Sequence, residues 1–151
     1  MKTFEVSFNA VIESIDANSG KVVKSSRIHN LVVNGGLNML RNFMAGDTPS
    51  NPKALSIGTD ATAAENTDTE LGAEVLRSAA TISKPNDYQV RYVKVFSVGT
   101  GVSHEIKEVG VFDSTTVTGS TMLARLITSN TLDVDTNLSV TITYTIARVV
   151  I

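Results

Sequence analysis

Leu138-Ser-Val-Thr-Ile-Thr-Tyr-Thr-Ile146 alternates apolar and polar residues along its whole length. A period of two places the apolar residues on one face of a strand and the hydroxyl-bearing residues on the other, so this stretch predicts a half-buried β-strand. The opening run, Phe4 to Ile12, shows the same alternation. Because strands of this kind stand near both ends of the chain, both ends are expected to be tied into sheets.

The rest of the chain predicts more strands, separated by turns. The expected strands are Thr3–Ile15, Lys21–Val33 as an edge strand, Ala54–Gly58, Thr81–Ser83, Tyr88–Val98, Ile106–Phe112, Met122–Thr128 and the terminal strand to Ile151. Leu71–Arg77 is expected to make one helical turn. No internal repeat or linker divides the sequence. The prediction is one all-β domain over 1–151 with one short helix: an antiparallel β-sandwich, or a jelly-roll-like fold, of seven to nine strands.

One helix is predicted from Gly35 to Ala45. Asn34 is a candidate N-cap and Gly46 a candidate C-cap. The spacing of Leu37, Leu40 and Met44 predicts that these side chains pack on the β-core and close one end of it.

Composition limits the possible functions. The 151 residues include 42% apolar and 19% charged residues, carry a net charge of −2 and contain no cysteine. Disulfides and thiolate chemistry are therefore excluded. Without a basic block, a nucleic-acid partner is not expected. No apolar run approaches the length of a membrane helix, and the N-terminus alternates instead of forming a leader, so no membrane partner is expected either.

Two groups of ionisable residues are candidates for a metal-binding or an acid–base site. Asp60, Glu65, Asp68 and Glu70 crowd one segment, as calcium ligands would, but their spacing fits no known loop, and a solvated acidic loop is the favoured interpretation. The pair His104–Glu105 is interpreted as an ordinary loop pair, because His29 is the only other histidine, the chain has no cysteine and no nucleophile motif surrounds a serine.

Two further motifs have simpler explanations than a ligand site. Gly99-Thr-Gly101 lacks the strand-to-helix context of a phosphate loop and is expected to be a turn. Tyr88, Tyr92 and Phe96 form an aromatic stripe that is expected to be core, although exposed rings at this spacing would suit a sugar. The sequence thus assigns no catalytic, cofactor-binding or metal-binding residue, and no enzymatic activity is expected.

Three charged residues interrupt apolar strand segments: Glu108, Arg125 and Arg148. The simpler interpretation is that all three face solvent. The alternative is an ion pair within or between subunits, such as Glu108 with Arg125, because a buried charge is costly unless it is paired.

Several segments together resemble a β-rich module of tailed-bacteriophage virion proteins, found in tail-collar, tail-fibre and capsid-decoration components. They are His29-Asn-Leu-Val-Val-Asn-Gly-Gly-Leu37, Leu55-Ser-Ile-Gly-Thr59, Asp68-Thr-Glu-Leu71, Glu74-Val-Leu-Arg77, Ile106-Lys-Glu-Val-Gly-Val-Phe112 and Met122-Leu-Ala-Arg125, followed by the alternating terminal strand. The series runs from about residue 28 to residue 146. The resemblance implies a particle component without catalytic residues, and leaves open its position on the particle.

The resulting expectation is a non-enzymatic structural protein of a tailed-phage virion, assembled in the host cytoplasm. A capsid decoration (cement) protein is favoured, with the major capsid protein or another virion protein as partner, because one domain lacks a fibre shaft. The alternatives are a tail-collar, baseplate or tail-fibre adaptor protein, and a carbohydrate-binding module. The apolar terminal residues Val149–Ile151 have no polar cap, which predicts self-association, with a homotrimer as the expected state.

Overall fold

The computed structural model describes residues 2–29, 31–47 and 50–150, with side chains at 5–29, 31–47 and 50–147. It contains ten strands and one helix. In chain order they are β1 (Lys2–Asp16), β2 (Val22–His29), β3 (Leu31–Val32), α1 (Asn34–Met44), β4 (Ala54–Gly58), β5 (Glu74–Ala79), β6 (Thr81–Ser83), β7 (Gln89–Phe96), β8 (His104–Phe112), β9 (Met122–Leu132) and β10 (Thr136–Val150). No helix of the described residues is long and apolar enough to cross a membrane.

The strands form two antiparallel sheets of five. The first sheet has the order β2-β1-β10-β7-β6 and the second the order β3-β9-β8-β4-β5. The predicted all-β sandwich with one short helix is therefore confirmed. β3 and β6 have only two and three residues, and the eight longer strands fall within the predicted range.

β1 and β10 form the centre of the first sheet. They pair along their whole lengths, from Lys2 opposite Val150 to Asp16 opposite Thr136. The predicted alternation is confirmed along most of β10, where Leu138, Val140, Ile142 and Tyr144 are buried. Ile146 departs from it, because 51% of its surface is exposed.

The second predicted strand is divided between the two sheets. β2 pairs with β1 at the edge of the first sheet, as expected, whereas β3 pairs with β9 at the edge of the second. The predicted helical turn at Leu71–Arg77 is wrong, since β5 runs through it and pairs with β4. Backbone pairing and the packing of Val75 and Leu76 against the core outweigh the local helix preference here.

The helix is in the predicted place but presents a different face to the core. Its buried residues are Gly36 and Met39, whereas Leu37 is 55% exposed and Met44 69% exposed. The prediction that Leu37, Leu40 and Met44 pack on the core is therefore wrong for Leu37 and Met44, while Leu40 is half-buried. The reason is the approach of the glycine turn to β9, which leaves the larger side chains at the rim of the sandwich.

The ends of the helix differ in how well they were predicted. Asn34 is the first helical residue and makes no side-chain cap, because the cap position belongs to Val33. Gly46 has φ +82° and its N–H donates to the Phe43 carbonyl, while the Asp47 N–H donates to the Asn42 carbonyl. This is a Schellman motif, and it confirms the predicted C-cap.

Replacing Gly36 is expected to open the junction between helix and sheet. A Cβ at this position would overlap the carbonyl oxygen and the side chain of Leu123 in β9. Gly36→Ala should therefore destabilise the protein by roughly 1–3 kcal/mol, as overpacking does. Asn34→Ala is the control and should change the free energy of unfolding by less than about 0.5 kcal/mol. Chemical denaturation checks both values, and equal effects would show that this close contact is absent.

In the second sheet, β4 is buried on both faces. Leu55 and Ile57 of β4 face the main core, while the alternate residue Ala54 belongs to a second apolar cluster. The other members of that cluster are Val33, Leu71, Phe112 and Met122. Leu71 comes from the segment 59–73, called here the cover loop, which lies over the outer face of the sheet.

Candidate functional site

A buried ion pair joins the two central strands of the second sheet. Glu108 of β8 is fully buried and Arg125 of β9 is 3% exposed. The Arg125 Nε donates to one carboxylate oxygen of Glu108 at 3.0 Å, and the Arg125 Nη2 lies 2.9 Å from the same oxygen. The simpler sequence interpretation, that both residues face solvent, is wrong, and the alternative pairing is the one observed. Arg148 has no described side chain, so its interpretation lies outside the described residues.

Arg125 also holds the cover loop. Its Nη1 donates to Asp68 Oδ2 at 2.9 Å and to the Ala63 carbonyl at 3.3 Å, and its Nη2 donates to the Thr62 carbonyl at 3.0 Å. All the nitrogens of the guanidinium group therefore have acceptors, and two of those acceptors are backbone carbonyls of the loop.

Glu108 binds the far end of the same loop. Its carboxylate accepts hydrogen bonds from the N–H groups of Gly72 at 3.0 Å and Ala73 at 2.8 Å, with a longer one from Asp60 at 3.4 Å. The two buried charges thus compensate each other and tie down both ends of the loop. This arrangement satisfies the condition that buried charges be paired and hydrogen-bonded.

The acidic residues of the loop do not converge on a common point. Asp60 and Asp68 turn toward Arg125, whereas Glu65 and Glu70 are exposed. Among residues 2–29, 31–47 and 50–150, no group of three or more potential ligands is placed to hold a metal ion. The favoured interpretation of a solvated loop holds for Glu65 and Glu70 only, because the two aspartates serve the ion network.

The network also shifts the ionisation of its members. Hydrogen bonds from the Thr62 N–H and hydroxyl lower the pKa of Asp60, and the charge of Arg125 adds a smaller effect. Burial by itself lowers the pKa of Arg125, but hydrogen bonds and charges from Asp68 and Glu108 outweigh it, so that its pKa is raised overall. Both shifts favour the charged forms, as a structural ion network requires.

The expectation that His104–Glu105 is a loop pair is wrong, because both residues belong to β8. His104 is half-buried at the start of β8, and the exposed Glu105 accepts a hydrogen bond from the Thr131 hydroxyl at 2.8 Å. His29 stands at the end of β2, opposite Asn9 in the first sheet. The structure therefore does not bring the two histidines together. Gly99–Gly101 forms the predicted turn between β7 and β8.

The aromatic stripe is divided between core and surface. Tyr92 and Phe96 are buried, which confirms the core prediction for them. Tyr88 is 76% exposed and is the one non-glycine residue with positive φ among the described residues, at 68°. The backbone turns at Tyr88 before β7 begins, so its ring leaves the core face.

Tyr88 borders an open groove of about 1080 Å³ at the end of the sandwich beside α1. Its walls are mainly apolar. They include Val6 and Phe8 of β1, Leu37 and Phe43 of α1, Val90 of β7 and Ile146 of β10. This surface is called the end groove below.

Two buried tyrosines, Tyr92 and Tyr144, are among the residues that line the end groove. Tyr144 is 4% exposed, and its hydroxyl is the one buried side-chain polar atom without a hydrogen-bond partner among the described side chains. Burial raises the pKa of Tyr92 to about 12 and raises that of Tyr144 well above its ordinary value. Both tyrosines therefore stay neutral at physiological pH.

Sequence reasoning missed the end groove. It is assembled from β1, α1, β7, β10 and the segment 50–52, which no local pattern brings together. The helical spacing of Leu37, Leu40 and Met44 predicts a core face, and it gives no sign that Leu37 and Leu40 line an open groove. The exposed Phe43 beside them, at 69%, is the feature that a stripe of core residues would not explain.

Comparison with known proteins yields no match to a family model, a curated protein or a solved structure. The resemblance to phage virion proteins thus stays a prediction carried by the sequence segments.

Proposed function

We propose that this chain is a non-enzymatic structural component of a tailed-phage virion, in the role of a capsid decoration protein that binds and stabilises the shell. The segments that resemble virion modules support the class. The structural observation that carries the proposal is that the buried ionisable residues of the second sheet hold a loop in place. Arg125, Glu108, Asp60 and Asp68 are engaged in holding the cover loop to the sheet, while the end groove is mainly apolar.

An apolar surface and a rigid polar loop suit contact with another protein. Interfaces combine an apolar centre with a polar rim, and rigid partners lose less entropy on binding. The cover loop presents Glu65, Thr67 and Glu70 to solvent from a backbone fixed by the buried ion pair. A shell partner would meet this loop and the neighbouring loop Ser114–Ser120, which Arg77 holds through hydrogen bonds to Ser114, Thr116 and Ser120.

The partner proposed is the major capsid protein or another virion protein, met by several copies of this chain assembled as a homotrimer. Association of this kind adds stability by mass action, since each contact favours the folded state. No nucleic acid or membrane takes part in the proposed role.

The experiment is co-sedimentation with particles that lack the protein. Thr67→Arg in the cover loop and Thr118→Arg in the neighbouring loop place charge and bulk on exposed positions. Each variant is expected to weaken particle binding by on the order of tenfold or more, while its thermal unfolding stays unchanged.

Asn18→Arg is the matched control, because Asn18 is exposed in the β1–β2 turn and belongs to neither of these two loops. It should bind as the unmodified chain does. If all three folded variants and the unmodified chain fail to bind particles, the decoration role is lost. Binding of the unmodified chain to a host glycan instead would replace it with the carbohydrate-binding alternative.

A further inference from the structure

The two terminal strands extend beyond the rest of their sheet. β2 pairs with β1 only from Asn9 onward, and β7 pairs with β10 only as far as Thr145. Residues 2–6 and 146–150 continue as a pair beyond these strands, with Val6 opposite Ile146 and Lys2 opposite Val150. The Ile146 N–H still donates to the Tyr88 carbonyl at 2.9 Å, and this is the last backbone hydrogen bond of β10 to its β7 side among the described residues. This two-stranded extension is called the terminal ribbon.

The terminal ribbon has two open edges. Within the described residues, no strand pairs with the outer side of β1 over 2–6 or with the outer side of β10 over 147–150. An isolated pair of strands is marginally stable in water, and open edges are templates for further pairing. The ribbon is therefore incomplete as a β-structure.

An apolar surface adjoins these edges. Four side chains that line the end groove are largely exposed: Leu37 (55%), Phe43 (69%), Tyr88 (76%) and Ile146 (51%). Two of the four are aromatic side chains, which offer roughly 150–250 Å² each. At these exposed fractions the four side chains together present on the order of 500 Å² of surface. A stable interface needs about 800 Å² per partner, so this patch together with the ribbon is about the required size.

We propose that a second copy of this chain covers the terminal ribbon. The β1 edge of one copy pairs antiparallel with the β10 edge of the next, and the apolar patch is buried in the same contact. A copy of this chain is the occupant because each ribbon carries both of the edges that the contact needs. The inference deepens the proposed function by locating the interface between copies, and rests on it only for the number of copies.

The two edges lie on opposite sides of the ribbon, on the β2 side and the β7 side of the first sheet. Pairing of unlike edges is a heterologous contact, which can repeat until a ring closes. With three copies, the ribbons close into a wall of six strands that leaves no edge open. Pairing of two β1 edges with each other would instead leave both β10 edges unpaired.

Disulfide trapping tests this arrangement, because the chain contains no cysteine of its own. A tagged Glu5→Cys chain is co-expressed with a second chain that carries a single cysteine at one of positions 146–150. Adjacent strands lie about 4.8 Å apart, within disulfide reach, whereas strands two places apart lie about 10 Å away. Mild oxidation should link the two chains for at least one position, and Glu5→Cys alone should give no linked dimer.

Linked dimers from Glu5→Cys alone would show pairing of like edges and overturn the ring. No linked product at any position would overturn the ribbon interface itself.

A charge at the apolar patch gives a second readout. Ile146→Lys should shift the sedimentation mass of the purified protein to that of a monomer, with its circular dichroism unchanged. The matched control is Val95→Lys, which places the same charge at a 46% exposed valine whose partner Ser139 lies on the other face of β10 from Ile146.

Val95→Lys should keep the mass of the unmodified protein. An unmodified protein that stays monomeric at high concentration would contradict the proposal. Since no particles are used, this result is independent of whether the chain binds a shell.

Discussion

Arg125→Ala should destabilise the protein by about 3–5 kcal/mol, because it leaves the carboxylate of Glu108 buried without its counter-charge. Glu108 has no exposed surface from which water could replace the guanidinium. The substitution also removes the donors to Thr62, Ala63 and Asp68 that hold the cover loop. Urea unfolding followed by circular dichroism measures the change in free energy.

Lys107→Ala is the matched control for this measurement. Lys107 is the neighbour of Glu108 on β8, is half-buried, and donates to the Ser129 hydroxyl at 2.9 Å. Its removal should cost less than about 1 kcal/mol, since an exposed polar contact contributes little. Similar losses at Lys107 and Arg125 would show that the ion pair does not stabilise the fold.

The paired variant Glu108→Gln with Arg125→Met refines the interpretation. Removing both charges leaves no uncompensated ion, so part of the loss caused by Arg125→Ala should be recovered. Hydrogen exchange at Gly72 or Ala73 should nevertheless increase in this variant, because their N–H groups donate to different carboxylate oxygens and glutamine offers only one acceptor oxygen.

Ile142→Ala in β10 should destabilise the protein by roughly 2–4 kcal/mol, as truncation of a fully buried aliphatic side chain does. Thr141→Ala is its control, because Thr141 is half-buried on the opposite face, and should cost less than about 1 kcal/mol. Chemical denaturation measures both. Equal losses at the two positions would contradict the alternation on which the sandwich prediction rests.

Alternating strands were predictable because their signal is local. The alternation of apolar and polar residues in β1 and β10 is visible within a few residues, and the two strands pair with each other along their whole lengths. β5 was not predictable, because its strand state depends on pairing with β4, about twenty residues earlier in the chain. Local preference at Leu71–Arg77 gave no sign of that partner.

The ion pair was foreseeable in part. A glutamate and an arginine inside apolar strand segments require either solvent or a partner, and the pairing of Glu108 with Arg125 followed as one alternative. The choice between the two depended on the cover loop. Only a segment that folds back over the second sheet excludes water from these residues, and its composition is that of an open loop.

The end groove and the terminal ribbon depend on how elements end relative to one another. β1 and β10 extend beyond the ends of β2 and β7, and the side chain of Phe43 in α1 is exposed. Sequence patterns report which face of a strand or helix is apolar. They do not report whether a neighbouring element is long enough to cover that face.

The central claim, a shell-binding structural role, is tested most directly by the copy number of the chain in purified particles. Quantitative mass spectrometry of particles from the lysate in which the chain is produced gives the ratio of this protein to the major capsid protein. A decoration protein should be present in numbers comparable with those of the shell subunits. A few copies per particle would place the chain in the tail, and its absence from the particles would contradict the account.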